Sequence, residues 1–346
     1  MGLTRRLSRI VSLLALALSG AVLSGCGQSL KQTPFDPAGP VARAQLDLLK
    51  LSLWFAIGIG AFVTLALLFV VFRFREKKGD TSIPKQIHGS TKLEIAWTFI
   101  PIVILAIVGV PTVSTAFSTK APKDPNALVV KVVGHQWWWE FQYPDLGIVT
   151  ANELYIPAHK DVQILLTSDD VIHSFWVPKL AGKMDVIPGR TNKMWFNAER
   201  EEMYYGQCAE LCGPSHANMR LRVHAVSQTN FDSWVAERKA GAKEPADSVA
   251  RAGMDLFMGK SPSKANCITC HTVDGTKAQG KTGPNLTNIG SRSSLAAGIV
   301  ENTDEYLRQW IRDPKSLKPG VTIMPMHPNL TDEELNAIVT YLRGLK

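Results

Sequence analysis

The sequence predicts a multidomain membrane protein, in which a two-helix transmembrane hairpin is followed by an all-β sandwich and a small all-α domain. Three observations support this fold class. Two long uncharged segments lie in the first third of the chain, strand-like runs fill the middle, and helical spacing characterises the end. The chain has 346 residues, which is long enough for two or three domains with their own cores.

The N-terminus has the pattern of a secretory signal. Three arginines precede an apolar stretch at residues 10–23, which is short for a spanning helix. The sequence LSGC at residues 23–26 resembles the cleavage site of a bacterial lipoprotein, so we expect residues 1–25 to be removed and Cys26 to carry a lipid. An ordinary signal with an incidental cysteine is the alternative.

Two segments without charged residues predict the transmembrane hairpin, at residues 51–72 and 95–117. Each is long enough to cross a hydrocarbon core of about 30 Å as a helix. We place the hairpin at residues 48–119, after an external N-terminal segment at residues 26–47. Its loop, residues 73–94, is rich in Lys and Arg.

The positive charge of this loop predicts the topology. The positive-inside rule places the loop in the cytoplasm, so both termini and the domains after the hairpin face the periplasmic or outer side of a bacterial inner membrane. The formal net charge of +8 includes the signal and the loop. Because no basic stripe accompanies it, we expect no nucleic-acid partner.

An all-β sandwich is predicted at residues 120–234. Strand-like runs there are separated by Pro, Gly, Asp and Asn, and they are rich in β-branched residues or alternate strictly between apolar and polar positions. The clearest runs are ALVVKVVGHQWWWEF (127–141), VQILLTS (162–168) and MRLRVHAV (219–226). In the last run, alternate residues from Met219 to Ala225 share one apolar face.

The composition changes at residues 235–248, where charged and small residues predict a linker. Residues 249–346 then predict an all-α domain, whose last helix begins with Thr331 followed three residues later by Glu334. This spacing is typical of a capping box. The apolar content of the domain is thin for its size, which is consistent with a large cofactor that completes the core.

CITCH at residues 267–271 has the C-x-x-C-H pattern of covalent haem attachment. Cys267 and Cys270 can add to the haem vinyl groups, while His271 is held beneath the iron. A redox pair or half of a zinc site would also use C-x-x-C, but neither a βαβ pattern nor a second ligand pair accompanies this one. The sequence therefore predicts a covalent haem c.

A methionine is the expected second axial ligand, because c-type haems commonly combine His with a thioether. Met324 and Met326 both lie downstream of the haem motif. TGPNL at residues 282–286 resembles the loop beside the proximal His in small bacterial cytochromes c, whose axial Met usually precedes a proline. This resemblance favours Met324. Met326 is the second candidate and His327 the third.

CAELCGPSHANM at residues 208–219 combines thiols, an imidazole and a thioether in one loop. These soft ligands suit copper. A blue-copper site uses one cysteine, whereas two cysteines can bridge two copper ions, and each ion then needs its own imidazole. His216 and His173 are the candidates. In an oxidising compartment an even set of cysteines suggests disulfides, so the copper assignment predicts that these two remain unpaired.

Together these residues resemble subunit II of the haem-copper cytochrome c oxidases. The resemblance covers the hairpin, the run GHQWWWEF (134–141), the loop SDDVIHSFWVPKLAGKMDVIPGR (168–190) and the full C-x-E-x-C-x-x-x-H-x-x-M pattern. The fused haem domain is similar to that of the caa3-type branch. The implied folds are a cupredoxin-like sandwich and a class I cytochrome c domain.

The resemblance implies a binuclear CuA centre in the sandwich. Its ligands would be the bridging Cys208 and Cys212, the terminal His173 and His216, the weak ligand Met219 and the backbone carbonyl of Glu210. The Glu210 side chain would also reach a magnesium site shared with subunit I.

Two further residues receive roles from the resemblance. Trp137 corresponds to the residue at which electrons enter the copper domain, whereas Trp138 stands where the family usually has Tyr, which leaves its role open. Glu94 matches a glutamate near the mouth of a proton-uptake path. The helix dipole alone would also favour an acidic residue at this helix N-terminus.

The implied function is that of the oxidase subunit through which electrons enter. They would pass from an external donor through haem c and CuA to subunit I, where O2 is reduced to water with proton pumping. The implied partners are subunits I and III, a donor such as a cytochrome c, membrane lipid, and the machinery that delivers copper and attaches haem.

Three other functions compete with this one. A nitrous oxide reductase would need a further catalytic domain, and a quinol oxidase subunit II lacks the copper ligands found here. A membrane-tethered electron shuttle that works alone is the remaining alternative.

Overall fold

The computed structural model describes residues 13, 30–75, 79, 83, 85–86, 88–122, 124–245, 247–260 and 265–346. The predicted signal, apart from Leu13, and the predicted lipidation site Cys26 lie outside these described residues.

The predicted hairpin is present as two long helices, α1 (Pro40–Arg73) and α2 (Thr91–Ser118). Both are long and apolar enough to cross a membrane, and their apolar stretches are not buried inside the protein. Pro101 and Pro111 lie within α2 without ending it, as is common in membrane helices.

The first turns of α1 are packed against the sandwich. Val41 and Ala42 are buried, and the Ala42 N–H donates to the carbonyl of Leu180 at 3.2 Å. At Gly39, just before the helix, a Cβ atom would lie 2.1 Å from the Asn197 carbonyl oxygen. Only glycine allows this approach, so the helix begins directly on the domain surface.

Ten strands form the predicted sandwich from two five-stranded sheets. The first sheet has the order β3-β2-β1-β5-β8 and contains β1 (Leu128–His135), β2 (Trp138–Tyr143), β3 (Ile148–Ala151), β5 (Asp161–Ser168) and β8 (Asn192–Asn197). The second has the order β4-β10-β9-β6-β7 and contains β4 (Glu153–Pro157), β6 (His173–Trp176), β7 (Met184–Val186), β9 (Met203–Cys208) and β10 (Arg220–Val226). β1 is parallel to β5 and β4 to β10, while the other pairs are antiparallel.

The core between the sheets follows the alternation predicted from the sequence. Leu221, Val223 and Ala225 of β10 are buried, as is Met219 just before it. Arg220, on the opposite face, is exposed. Aromatic side chains fill the centre, where the rings of Trp139 and Phe175 meet edge to face.

A helix, α3 (Gln228–Lys239), joins the sandwich to the last domain and extends into the segment predicted as a linker. Its Phe231 and Trp234 are buried, and Trp234 stacks on Tyr155 of β4 with ring centroids 4.9 Å apart. The helix therefore packs on the sandwich through its aromatic residues.

The last domain is mainly helical. It contains α4 (Ser248–Phe257), the short strands β11 (Ser294–Leu295) and β12 (Val300–Glu301), and the helices α5 (Asp304–Arg312), α6 (Pro314–Leu317) and α7 (Asp332–Gly344). Thr331 and Glu334 form the predicted capping box of α7. α4 crosses α7 at Gly253, where a Cβ would lie 1.9 Å from the Ala337 carbonyl oxygen.

Candidate functional site

A cluster of sulfur and imidazole groups lies at one end of the sandwich. The ligand atoms of His173, Cys208 and Cys212 all lie within 4.8 Å of one another, and all three side chains are buried. The two sulfur atoms are 3.8 Å apart, and both thiols are free.

Each thiol of the cluster faces one imidazole. The Cys208 sulfur is 3.9 Å from Nδ1 of His173, and the Cys212 sulfur is 3.6 Å from Nδ1 of His216. Met219 Sδ lies 3.9 Å from the Cys212 sulfur. The Glu210 carbonyl oxygen lies 3.3 Å from the Cys208 sulfur. The structure thus brings all six residues predicted as copper ligands to one place.

The strand register explains this convergence. β6 and β9 are neighbours with Phe175 opposite Cys208, so His173 at the start of β6 reaches the end of β9. The Cys208 N–H donates to the Met219 carbonyl at 2.8 Å and closes the intervening loop at its base. At Gly213 within the loop, φ is +116°, a conformation that residues with a side chain rarely adopt.

Asp170 orients the first imidazole. Its Oδ1 lies 2.8 Å from Nε2 of His173, while its Oδ2 accepts from the Gln136 N–H at 2.6 Å. Burial alone would raise the pKa of Asp170 and lower that of His173, but their mutual hydrogen bond reverses both shifts. The His173 Nδ1 is therefore left to face Cys208.

The sequence analysis missed Asp170. Its signal is a carboxylate three residues before a histidine ligand within SDDVIH, a spacing that fits the carboxylate partner commonly found behind such ligands.

The two thiols influence each other's ionisation. The hydrogen bond between them lowers the pKa of Cys208 and raises that of Cys212. His173 adds to the effect on Cys208. One thiolate is therefore favoured in this pair, and a buried set of thiolates, imidazoles and a thioether fits copper better than a hard cation.

The haem motif lies on a short 3-10 helix, Cys267–Thr269. Nδ1 of His271 lies 2.8 Å from the Pro284 carbonyl oxygen, so the ring donates from Nδ1 and leaves Nε2 for a metal. At Gly283, in the predicted TGPNL loop, a Cβ would lie 2.6 Å from the His271 ring. The loop therefore packs directly against the proximal histidine.

An apolar cavity surrounds this histidine. Cys267, Cys270, His271 and Met324 all line it, together with side chains of the helical core. Burial lowers the pKa of His271, which favours the neutral imidazole that a metal requires. Met326 does not line the cavity and is 50% exposed. The apolar cavity, its two cysteines, His271 and Met324 are a lining that fits a covalently attached haem.

Trp137 lies between the two centres. Its indole N–H donates to the Cys212 carbonyl at 3.0 Å, and the same side chain lines the haem cavity. Gln136 also lines the cavity, and its side-chain amide donates to the Cys212 carbonyl at 2.7 Å. Trp138 also lines the cavity and stacks on His135, with ring centroids 4.1 Å apart. The cavity thus opens onto the sandwich at the copper loop.

Glu94 lies apart from both centres. It occupies the first turn of α2, where its carbonyl accepts from the Thr98 hydroxyl at 2.8 Å. The Glu210 side chain points away from the thiols and is 46% exposed, with Oε2 4.0 Å from the Lys183 ammonium.

Comparison with protein-family models gives three matches along the chain. Residues 29–115 match the transmembrane domain of cytochrome c oxidase subunit II, and residues 148–226 match its periplasmic domain. Residues 252–346 match cytochrome c.

Relatives of similar length share this organisation. Cytochrome c oxidase subunit 2 of Alkalihalophilus pseudofirmus is 42% identical over 353 residues, covering 100% of this chain and 99% of that protein. The Bacillus subtilis subunit 2 is 39% identical over 352 residues, covering 96% and 97%. Among solved structures, the periplasmic domain of subunit II from Bradyrhizobium japonicum is 37% identical, with a TM-score of 0.33, covering 34% of this chain and 96% of that one.

Proposed function

Because this chain belongs to the cytochrome c oxidase subunit II family and carries a cytochrome c domain, we propose that it passes electrons from an external donor through its haem domain, and then through its copper domain, to the oxidase subunit that reduces O2. The chain is a subunit of a haem-copper oxidase, anchored by two transmembrane helices, with its domains on the periplasmic side. Electrons enter the oxidase through it.

The position of Trp137 supports this order of transfer best. The Trp137 indole hydrogen-bonds the copper loop at Cys212, the residue lines the haem cavity, and its carbonyl accepts from Lys318 of the haem domain. The side chain is only 8% exposed, so it is largely shielded from water where the domains meet.

In this proposal the copper pair would be held by Cys208, Cys212, His173, His216, Met219 and the carbonyl of Glu210. When bound, it would supply one-electron storage. Asp170 orients His173, and the hydrogen bond between Cys208 and Met219 holds the loop closed. A rigid site of this kind suits electron transfer rather than substrate chemistry.

In the haem domain, Cys267 and Cys270 would hold the haem covalently. His271 and Met324 would be its axial ligands, a combination that raises the reduction potential relative to two nitrogen ligands. The Pro284 carbonyl fixes the orientation of the His271 ring.

Several partners belong to the same proposal. Subunit I would accept the electrons and pump protons, subunit III would complete the complex, and Glu210 would contribute to a magnesium site shared with subunit I. Glu94 would lie near the mouth of a proton-uptake path. Copper-delivery and haem-attachment machinery would load the centres, and a lipid on Cys26 would add a second membrane anchor.

Metal analysis of the full chain, expressed without its partners, tests the copper assignment. The ligand set predicts about two coppers per haem iron, with the near-infrared absorption of a mixed-valence copper pair. The matched variant Cys208→Ser should lose the copper absorption and keep that of the haem. A single copper in the parent chain, or a Cys208–Cys212 disulfide in copper-loaded material, would refute the binuclear centre.

A purification from the native membrane separates the proposal from the stand-alone shuttle. We expect the chain to copurify with a large polytopic haem-copper subunit. Isolation of the loaded chain alone, from membranes in which that subunit remains assembled without it, would favour the shuttle.

A further inference from the structure

A buried carboxylate of the copper domain is bound by the haem domain. Glu153, at the start of β4, is 1% exposed. Its Oε1 accepts from the Ser293 and Ser294 N–H groups, both at 2.9 Å, and from their hydroxyls at 2.7 and 2.8 Å. Four donors from the other domain therefore converge on one carboxylate.

A histidine and two arginines lie around Glu153. His224 on the neighbouring strand β10 has its Nε2 3.3 Å from the carboxylate. Arg238 of α3 and Arg292 of the haem domain are electrostatically coupled to it. A buried carboxylate is stable only when it is paired and hydrogen-bonded. Here, most of its direct hydrogen bonds depend on the presence of the haem domain.

Further hydrogen bonds between the domains surround this contact. The Arg220 N–H donates to the Ala297 carbonyl at 3.1 Å, and Arg238 donates to the Ser291 hydroxyl at 2.9 Å. Lys318 of the haem domain, which is 3% exposed, donates to the carbonyl of Trp137. The interface therefore extends from Glu153 to the tryptophan at the mouth of the haem cavity.

We propose that Glu153 is a positioning residue that holds the haem domain docked on the copper domain, with the haem cavity facing Trp137. The inference rests on the proposed electron route and adds the residue that fixes its geometry. Without this contact, the covalent connection between the domains and the hydrogen bonds of Arg220, Arg238 and Lys318 would remain. A covalent connection sets a local concentration rather than an orientation, so the orientation would depend on those weaker contacts alone.

The four hydrogen bonds from Ser293 and Ser294 to Glu153 can form only when the two domains are docked. Removal of the carboxylate would leave four donors of Ser293 and Ser294 without their acceptor. Each charge-assisted hydrogen bond lost shifts the docking equilibrium by about tenfold. Glu153→Gln retains an acceptor oxygen without the charge, so its effect should be smaller than that of Glu153→Ala.

Hydrogen exchange on the assembled oxidase tests the docking. In Glu153→Ala, the protection factor of the peptide containing Ser293 and Ser294 should fall about tenfold or more. In Glu153→Gln, the protection factor should lie between the values of Glu153→Ala and the parent. Glu201→Gln, a change at an exposed acidic residue of the same domain, is the matched control and should leave the protection unchanged.

Electron transfer between the domains provides the functional measurement. After photoreduction of the haem, electron arrival at the copper centre should be slower in Glu153→Ala than in Glu201→Gln and should become dependent on solvent viscosity. The haem and copper absorption should stay as in the parent, because no ligand is changed. The double variant Ser293→Ala/Ser294→Ala should show a smaller loss in the same direction, because it removes the two hydroxyl donors and keeps the two backbone N–H donors.

Unchanged protection and unchanged transfer rate in Glu153→Ala would overturn the inference. If that variant does not assemble, the serine double variant decides, and parent-like behaviour there would overturn it as well. A parent protein without copper or haem absorption would instead refute the proposed function, so the two failures are distinguishable.

Discussion

Asp170→Ala should weaken copper binding without unfolding the sandwich. In the structure Asp170 accepts from the backbone N–H groups of Gln136 and Val171, both at 2.6 Å, and lies 2.8 Å from the His173 ring nitrogen. Its side chain is 32% exposed, so water can replace it at the two backbone groups. Water cannot replace the carboxylate in the same way at the His173 ring, because that ring is fully buried.

The expected magnitude follows from that lost hydrogen bond. A hydrogen bond to a charged group contributes about 1.5–3 kcal/mol, which corresponds to a factor of about 10–100 in copper affinity. Asp170→Asn retains an oxygen that can accept from the ring and should lose less. Asp169→Ala is the matched control, because that neighbouring carboxylate is 72% exposed and lies no closer than 3.8 Å to His135.

The assay is a copper titration of the reduced full chain against a competing chelator, followed by the absorption of the copper centre. The apparent copper affinity should be highest in Asp169→Ala, lower in Asp170→Asn and lowest in Asp170→Ala. A copper affinity of Asp170→Ala within about twofold of the Asp169→Ala control would refute the reasoning, since loss of the carboxylate behind a metal-binding histidine normally changes affinity by more.

Two further predictions concern the haem domain and its docking. Met324→Ala should change the axial ligation seen in the haem absorption spectrum, whereas Met326→Ala, at a side chain that is 50% exposed, should not; the opposite result would exchange the two methionines. For Glu153, burial alone would raise the pKa, but hydrogen bonds from His224, Ser293 and Ser294 lower it from 4.5 to about 2. A lowered carboxyl pKa stabilises the docked state above pH 4.5 and loses that contribution as pH falls towards 2. The difference in Ser293–Ser294 exchange protection between the parent and Glu153→Gln should therefore be constant above about pH 5.5 and shrink as the pH falls from 4.5 towards 2. A difference that stays constant over that range would contradict the assignment.

Local patterns were sufficient to predict the elements and most of the candidate ligands. Apolar length predicted α1 and α2, alternation predicted β10, and the threonine–glutamate spacing predicted the cap of α7. The copper loop and the haem motif each lie within a short stretch of sequence, so the spacing of their residues was enough to predict the copper site and the haem attachment. His173 lies 35 residues before Cys208 and was found only because the ligand count required a second imidazole.

Contacts between distant segments were not predictable in this way. Glu153 and Ser293 are 140 residues apart, and neither lies in a motif that indicates binding. The structure also places His224 of β10 against Glu153 at the domain interface. Lys318 reaches Trp137 across 181 residues. Such pairs depend on how two separately folded domains meet, which the periodicity within either domain does not determine.

The junction of α1 with the sandwich has a mechanical consequence for the whole subunit. Because Gly39 lies against Asn197 and the first turns of the helix are buried, the membrane helix continues into the copper domain without a hinge. The height and tilt of the copper loop above the bilayer are then set by a helix rather than by a flexible tether. A membrane-embedded acceptor would then meet the same edge of the domain at the same depth.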